Sequence, residues 1–307
     1  PCILCHNGCF NMCHYKGHAN TQTLEDSLHL SRCAVNPETM QYEKHHIRLT
    51  TTPRRVAVVG GGIGGMEAAR VLALRGHWPV IYEQSDHLGG VFKEAASASF
   101  KGKLRDLLDW YRRQMTKLGI EVRLNDEIKD IAAFGSDPVI IATGSTPRLL
   151  RRVPGYEKMI EGCDYLNGAE VGNTVAVIGG GLTGCEIAYE LALQGKNPII
   201  VEMKDDLISQ TGVCLANSSY LREYFALHNV PVYLETKLTE ITDNGVKVVG
   251  KDGKAFDIPA DTVIMSVGYV PAPVAEKSKH VHVVGDSLKV GNLRSVIWGA
   301  WDVAMKL

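Results

Sequence analysis

Residues 56–65 read VAVVGGGIGG, a short β-branched strand that runs directly into a glycine-rich turn. An Ala- and Leu-rich stretch follows as far as Arg75, Gly76 stops it, and a second apolar strand at 80–82 ends on Glu83. A strand, a glycine turn, a helix and a strand within about 30 residues is the arrangement that holds a dinucleotide. The segment is therefore predicted to form a nucleotide-binding βαβ unit.

The same pattern returns 119 positions later without a gap. Residues 175–184 read VAVIGGGLTG, a helical stretch continues to Gln194, and the strand at 199–201 ends on Glu202. One GxGxxG motif is weak evidence because glycine-rich turns are common. Two such motifs, each between a strand and a helix and each followed by an acid 18 residues after the last glycine, are strong evidence. We therefore predict an α/β fold with two Rossmann-like dinucleotide-binding domains.

Each glycine of the motif has its own physical role. The first allows the tight turn after the strand, the second lets the backbone approach a pyrophosphate, and the third lets helix and strand pack closely. The pyrophosphate then lies at a helix N-terminus, where free amides and the helix dipole favour an anion. The acid that ends the second strand is placed to accept hydrogen bonds from an adenosine ribose. The predicted binding residues are Gly60, Gly62, Gly65 and Glu83 in the first unit and Gly179, Gly181, Gly184 and Glu202 in the second.

A second close-approach loop distinguishes the two units. Residues 88–90, LGG, follow Glu83, whereas residues 205–208 after Glu202 read DDLI and contain no glycine pair. We therefore expect that only the first unit is built around a larger ligand.

The domain boundaries are placed at two similar stretches of small residues. Residues 139–147, VIIATGSTP, precede the second unit, and residues 263–271, VIMSVGYVP, follow it. A further strand with a Gly-Asp tip, 281–286, leads to a helical stretch from Arg294 to Leu307. The expected organisation is an N-terminal segment and linker at 1–53, a discontinuous first domain at 54–150 plus 271–307, and a second domain at 151–270.

The composition excludes several classes of function. The 307 residues are 45% hydrophobic and 22% charged with a formal net charge of −1, so the basic excess that nucleic-acid binding requires is absent. The longest apolar runs fall far short of the roughly 20 residues that cross a bilayer, and no secretory leader is visible. We expect no nucleic-acid partner, no membrane association and a cytoplasmic location. Because the first residue is Pro1 rather than Met, we also expect the chain to be either a processed product or a part of a longer protein.

The eight cysteines form two groups. Three of them, Cys163, Cys185 and Cys214, are scattered through apolar surroundings and are interpreted as buried small side chains. The other five lie within the first 33 residues. In a reducing cytoplasm such a cluster more often holds a metal or does redox chemistry than forms structural disulfides. The clustered cysteines are Cys2, Cys5, Cys9, Cys13 and Cys33.

The paired fingerprints, the Leu-Gly-Gly loop, the Ala-Thr-Gly-Ser turn and the late Gly-Asp resemble the two-dinucleotide-domain flavoprotein reductases of the glutathione reductase superfamily. The resemblance covers about residues 54–307. In that superfamily the first unit and the late Gly-Asp bind FAD, and the second unit binds NAD(P)H. The resemblance therefore implies FAD at the first-unit residues together with Gly90 and, for the flavin ribityl chain, Asp286. It implies a nicotinamide dinucleotide at the second-unit residues.

The N-terminal cysteines narrow this resemblance. The CxxCxxxC pattern at residues 2–9, with Cys33 in the sequence CAVNP, is similar to the iron–sulfur segment of one flavoenzyme group. That group contains 2,4-dienoyl-CoA reductase, enoate reductase, bile-acid NADH:flavin oxidoreductase and trimethylamine dehydrogenase. In it a [4Fe-4S] cluster follows an FMN-bearing TIM barrel and precedes the two dinucleotide domains. Thiolates suit low-potential iron because both are soft. The resemblance implies that the FMN barrel lies outside this chain and that the cluster ligands are Cys2, Cys5, Cys9 and Cys33.

Two alternatives stay open at the N-terminal site. Cys13 is a second candidate for the fourth ligand, since the 23 residues between Cys9 and Cys33 exceed the usual family spacing. Zinc is the competing metal, because tetrahedral zinc accepts mixed Cys and His ligands and the same segment contains His6, His14 and His18. The adjacent His45 and His46 lie among polar residues and are interpreted as solvated loop residues.

The function implied by the resemblance is electron input: NADH binds the second domain, FAD the first, and electrons leave through the cluster. They would serve the reduction of an enoate or enoyl-CoA double bond on the missing FMN barrel. Catalytic side chains are not assigned, because the chemistry belongs to the cofactors. Two other functions are considered: a non-catalytic ADP-binding module, as in trimethylamine dehydrogenase, and a standalone NADH oxidase. The intact second fingerprint argues against the ADP module.

Overall fold

A computed structural model describes residues 1–9, 31–210 and 213–307 of the chain. The strands, in chain order, are β1 Arg55–Val59, β2 Trp78–Tyr82, β3 Glu121–Arg123, β4 Val139–Ile141, β5 Ser145–Pro147, β6 Ile160–Glu161, β7 Thr174–Ile178, β8 Asn197–Val201, β9 Val232–Tyr233, β10 Lys237–Thr242, β11 Gly245–Val249, β12 Ala255–Pro259, β13 Thr262–Met265, β14 Tyr269–Pro271 and β15 Val281–Val283. The α-helices are α1 Tyr42–His45, α2 Ile63–Leu74, α3 Phe92–Ala95, α4 Gly102–Lys117, α5 Gly162–Leu166, α6 Leu182–Leu193, α7 Leu215–Leu227 and α8 Leu293–Ala304. Among these helices of the described residues, none has both the length and the apolar content to span a membrane.

The chain folds into two compact units, and unit 1 is discontinuous in sequence. It comprises the described residues of Pro1–Ala96 with Lys101–Thr146 and Tyr269–Leu307. Its five-stranded sheet has the order β3-β2-β1-β4-β15, and all neighbouring strands are parallel. Parallel neighbours require a crossover connection, and α2 supplies the one between β1 and β2. Side chains of α2, α4 and α8 form one buried cluster with one face of this sheet.

Unit 2 comprises Ser97–Phe100 and Pro147–Gly268. Its five-stranded sheet has the order β9-β8-β7-β13-β6, again with all neighbours parallel. A separate antiparallel sheet, β10-β11-β12, packs its apolar side chains against one face of the parallel sheet. The opposite face is covered by α6 and α7.

The two parallel sheets share one plan. In each, the strand that precedes the glycine turn is central, and the strand that ends on the acid lies beside it. The two sheets differ at one edge. In unit 1 the edge strand beside β4 is β15, which follows the other four strands in the chain, whereas in unit 2 the edge strand beside β13 is β6, which precedes the other four. The predicted α/β fold with two Rossmann-like units is therefore confirmed.

The last helix begins at a defined residue. We expected a helical stretch from Arg294 to Leu307, and α8 runs from Leu293 to Ala304. Its start is fixed by a capping box, in which Asn292 Oδ1 accepts from Ser295 N at 3.1 Å and Ser295 Oγ accepts from Asn292 N at 2.9 Å. These bonds satisfy amides that the first helical turn leaves without a partner.

A Gly65→Ala substitution tests the tightest helix–strand contact in unit 1. A Cβ at Gly65 would lie 1.9 Å from the Gly60 carbonyl oxygen, so the helix must shift. Overpacking of this kind costs about 1–3 kcal/mol, and we expect at least that loss in the free energy of unfolding, measured by urea titration. Gly299→Ala in α8 is the matched control, because a Cβ there meets nothing within 4 Å. Alanine in a helix interior should stabilise by up to about 1 kcal/mol. Equal stability of the two variants would contradict the packing argument.

Candidate functional site

The first and third glycines of each turn are required by packing inside the protein. A Cβ at Gly60 would lie 2.4 Å from the Ala142 carbonyl oxygen, and one at Gly179 would lie 2.2 Å from that of Ser266. A Cβ at Gly184 would lie 1.9 Å from the Gly179 carbonyl oxygen, as close as in the equivalent pair of unit 1. These glycines allow each helix to begin directly against its strand.

Packing against the described residues does not explain why the middle position of each turn is glycine. Among the described residues, a Cβ at Gly62 would meet nothing nearer than the Gly89 carbonyl oxygen at 4.0 Å, and one at Gly181 nothing nearer than Gln210 Oε1 at 3.6 Å. Both residues also have a φ that any L-residue adopts, −70° and −69°. The space in front of each is open, which is what close approach of a pyrophosphate requires.

The helices that follow these glycines have N-termini suited to an anion. Gly62 and Gly181 are the N-cap residues of α2 and α6, and neither cap contains a side-chain hydrogen bond. Each helix has 12 residues and no acidic residue in its first turn. Free amides and the positive end of the helix dipole therefore face the open glycine in both units.

The two acids hold the glycine turns in place. Glu83 Oε2 accepts from Gly61 N at 2.6 Å, and Glu202 Oε2 accepts from Gly180 N at the same distance. The second oxygen of Glu83 accepts from the amide and the hydroxyl of Ser85, both at 2.8 Å. The second oxygen of Glu202 accepts from Lys204 N at 2.8 Å. Both carboxylates thus bind backbone, and the predicted contact with an adenosine ribose stays a prediction.

A second loop that is hydrogen-bonded to the glycine turn occurs in both units, although only the loop of the first unit contains a glycine pair. Gly89 N donates to the Gly61 carbonyl oxygen at 3.0 Å, and Ile208 N donates to that of Gly180 at 2.8 Å. The sequence concealed this because a β-branched residue occupies the glycine position. Ile208 has a φ of +49°, in the left-handed region, and is buried. The two loops therefore differ in side chain and strain, and share their hydrogen bond.

Asp286 lies at the tip after β15, in the 3₁₀ turn Gly285–Ser287. Its Oδ1 accepts from Gly291 N at 3.0 Å, and burial raises the pKa of its carboxyl group. The neighbouring Ser287 is a residue that the sequence reasoning missed. Its hydroxyl accepts from Gly144 N at 2.6 Å, which ties the tip to the Ala-Thr-Gly-Ser turn. No sequence motif marks this serine, because its partner is 143 residues away.

The N-terminal cysteines are partly brought together. Arg32 N donates to the Gly8 carbonyl oxygen at 2.7 Å, which places the loop ending at Cys9 beside Cys33. Burial raises the pKa of the Cys5 thiol, and the neighbouring Cys9 and Cys33 act in the same direction. Within the described residues, however, no three His, Cys, Asp or Glu side chains form a ready-made metal site. Cys13, His14 and His18, which the alternative ligand sets use, lie outside the described residues.

A buried cation adjoins these thiols. Arg32 is 4% exposed, and its Nε has no hydrogen-bond partner in the described structure. Its Nη1 donates to the Ser31 carbonyl oxygen at 3.2 Å, and a thiolate-ligated cluster with net negative charge would compensate the cost of the buried charge. On the other side, Trp298 Nε1 donates to the Cys33 carbonyl oxygen at 2.9 Å. The donor set and the buried guanidinium therefore fit an anionic iron–sulfur cluster.

His45 is not the solvated loop residue that the sequence suggested. It is 1% exposed and lies in α1, where Nδ1 is 2.8 Å from the Pro37 carbonyl oxygen and Nε2 is 3.0 Å from Asp302 Oδ1. The sequence concealed this because Asp302 is 257 residues away. His46, its neighbour, is partly exposed as expected.

The three later cysteines differ in burial. Cys185 and Cys214 are buried, as expected, while Cys163 is only partly buried. Burial raises the pKa of Cys185 to about 12, so its thiol is protonated near neutral pH. Cys185 Sγ donates to the Gly180 carbonyl oxygen at 3.4 Å, beneath the second glycine turn.

Residues 38–136 and 132–290 match the pyridine nucleotide-disulphide oxidoreductase family. The chain is 34% identical over 316 residues to cinnamate reductase of Clostridium sporogenes and 33% identical over 322 residues to NADH oxidase of Thermoanaerobacter brockii. Both alignments cover 100% of this chain but only 45% and 47% of those proteins. The chain thus spans about half the length of the curated relatives that it matches.

A solved structure agrees with these matches. A 2-naphthoyl-CoA reductase in complex with 2-naphthoyl-CoA covers 100% of this chain with a TM-score of 0.86 and 28% sequence identity, and 46% of its own chain is matched. The expected likeness to the enoate-reductase type of NAD(P)H flavin oxidoreductase is therefore confirmed.

Gly62→Ala separates ligand binding from folding. The variant should be as stable as the parent, because the added methyl group has room, but the methyl would occupy the approach path of a pyrophosphate. Overpacking of about 1–3 kcal/mol predicts roughly tenfold or greater loss of FAD affinity. The measurement is flavin content after purification and titration of the apoprotein by flavin fluorescence. Gly181→Ala is the matched variant and should weaken NADH binding while FAD stays bound. An FAD affinity of Gly62→Ala equal to that of the parent would refute binding of the pyrophosphate at Gly62.

Proposed function

The chain belongs to the pyridine nucleotide-disulphide oxidoreductase family, and we propose that it is the electron-input part of an enoate-reductase-type flavoenzyme. NADH binds unit 2, FAD binds unit 1, and electrons leave through a [4Fe-4S] cluster at the N-terminal segment. The observation that supports this is the pair of open glycine cradles, at whose central glycines a Cβ would meet no atom of the described residues closer than 3.6 Å. Because both cradles are complete, two dinucleotides are favoured over a module that holds ADP alone.

The residues of unit 1 suit FAD. The amides at the start of α2 would bind the diphosphate beside Gly62, between Gly60 and Gly65 in the turn, and Gly90 would allow the second loop to approach. Glu83 would accept from the adenosine ribose with the lone pairs that its backbone bonds leave. Asp286 is partly desolvated, which raises its pKa, and hydroxyl donors of a ribityl chain would offset the cost of its charge.

The residues of unit 2 suit NADH. Gly179, Gly181 and Gly184 form the same cradle at α6, and Glu202 lies at the end of the neighbouring strand. When bound, FAD takes a hydride from NADH and can return the electrons one at a time, which suits an iron–sulfur acceptor. The proposed cluster ligands are Cys2, Cys5, Cys9 and Cys33.

The substrate of the whole protein is proposed from the relatives. A cinnamate reductase and a 2-naphthoyl-CoA reductase, by their names, act on unsaturated acyl compounds. We propose that the half of the relatives outside this chain corresponds to an FMN-bearing barrel on which a C=C bond of an enoate or enoyl-CoA is reduced. The similarity to an NADH oxidase favours a second candidate, in which the electrons pass to dioxygen. The two candidates share the input half and differ in the acceptor.

Anaerobic NADH should bleach the visible absorption of FAD in the reconstituted chain and support reduction of ferricyanide, since hydride transfer requires only a nicotinamide positioned at the flavin. The chain alone should not reduce cinnamate. Cys9→Ser should abolish the brown iron–sulfur absorption and its electron paramagnetic resonance signal while FAD is still reduced.

Cys163→Ser is the control and should retain the cluster, because Cys163 lies in unit 2. Recovery of ADP alone from the denatured protein, or FAD that NADH cannot bleach, would refute the electron-input function. Zinc in place of iron would refute the cluster alone.

Glu202 should make the chain prefer NADH to NADPH. Unit charges about 4 Å apart repel by about 4 kcal/mol at an effective dielectric of about 20, so a 2′-phosphate beside this carboxylate is disfavoured. A third of that energy corresponds to a kcat/KM about tenfold higher for NADH than for NADPH. Glu202→Gln removes the charge and keeps one oxygen acceptor, enough for Gly180 N but at the loss of the bond from Lys204 N, so the preference for NADH should shrink. The test measures kcat/KM for NADH and for NADPH with ferricyanide as the electron acceptor. An unchanged ratio would show that another residue sets the preference.

A further inference from the structure

In each unit, an arginine on a later helix binds the second loop. In unit 2, Arg222 on α7 donates Nε and Nη2 to the two carboxylate oxygens of Asp206, at 3.0 and 2.8 Å, and Nη2 also donates to the Leu207 carbonyl oxygen. In unit 1, Arg112 on α4 donates Nε and Nη2 to the Leu88 carbonyl oxygen at 3.1 and 2.6 Å. The two arginines have no common sequence motif, and the structure places them alike.

Each of these loops rests directly on a glycine turn. A Cβ at Gly61 would lie 2.5 Å from Leu88 Cδ2, and one at Gly180 would lie 2.6 Å from Leu207 Cδ2. The residue after each leucine donates its amide to the carbonyl oxygen of the same glycine. An arginine that fixes the leucine therefore also fixes the glycine turn, one residue before the open middle glycine.

The loop of unit 2 needs this support more than that of unit 1. Ile208 has a φ of +49°, a conformation that β-branched residues rarely adopt, whereas Gly89 has the equivalent position in unit 1. Strained backbone persists only where its surroundings hold it. Asp206 strengthens the hold, since its hydrogen bond with Arg222 lowers the pKa of the carboxyl group and keeps the pair charged.

We propose that Arg222 is a positioning residue for the nicotinamide dinucleotide. With Asp206 it clamps the Leu207 carbonyl, keeps Ile208 in its strained conformation, and thereby sets the glycine turn that receives the diphosphate at Gly181. Arg112 does the same for the FAD turn of unit 1. The inference rests on the proposed function, since it assigns NADH to unit 2.

The test compares Arg222→Leu with Arg112→Leu in the FAD-reconstituted chain. Arg222→Leu should raise KM for NADH, and Kd from nicotinamide fluorescence, roughly tenfold with little change in kcat for ferricyanide, as expected for the loss of a charge-assisted hydrogen bond. Asp206→Asn should act in the same direction with a smaller effect. Arg112→Leu should speed FAD release and leave the Kd for NADH unchanged. The matched controls are the exposed neighbours, Glu223→Leu and Arg113→Leu, which should alter neither ligand.

The outcomes separate this inference from the proposed function. A parent chain that binds no NADH would refute both. A parent that binds NADH, with Arg222→Leu at the same KM, would refute the clamp alone, as would a fall in kcat without a change in KM. If Arg222→Leu fails to fold, Arg222→Lys and Asp206→Asn are measured instead. A KM for NADH equal to that of the parent in both variants would refute the proposed role of Arg222.

Discussion

The closeness of helix and strand at each glycine turn is the constraint on which the rest of the structure depends. In both units a Cβ on the third glycine would lie 1.9 Å from the carbonyl oxygen of the first, so glycine alone lets the helix begin there. Because the helix begins there, its free amides face the carboxyl edge of the parallel sheet, where ligands of this fold class bind. The proposed anion site of each unit would thus follow from packing in the core.

The acid that ends each second strand has a role on the protein side as well. Glu83 and Glu202 each bind the amide after the first glycine at 2.6 Å, so the turn is held both by packing and by a charge-assisted hydrogen bond. A residue that reads the ribose would therefore also shape the cradle. The two units share this arrangement and differ in the second loop, where Gly89 of unit 1 corresponds to Ile208 of unit 2. The supporting arginine of unit 2 also binds a carboxylate, that of Asp206, whereas Arg112 of unit 1 binds the Leu88 carbonyl oxygen.

Within unit 1, the N-terminal segment is bound to α8. Trp298 donates to the Cys33 carbonyl, and Asp302 one turn later binds the buried His45. Both ring nitrogens of His45 lie within hydrogen-bond distance of an oxygen, Nδ1 of the Pro37 carbonyl and Nε2 of Asp302 Oδ1. Since α8 follows the tip that contains Asp286, one helix connects the proposed cluster segment with the proposed flavin site.

The sequence by itself determined the repeated βαβ units, the residues of both glycine turns, the two acids and the α/β class, because these features are local: a turn that only glycine permits and a strand of β-branched residues are readable within about thirty positions. The tertiary structure decided the rest. Ser287, Arg112 and Arg222 act through partners that only folding brings near, and His45 became a buried residue through an aspartate at the far end of the chain. The second loop of unit 2 was hidden for another reason. Ile208 adopts a backbone conformation that sequence reasoning reserves for glycine, and the Asp206–Arg222 pair that holds it there forms only when α7 packs on the sheet.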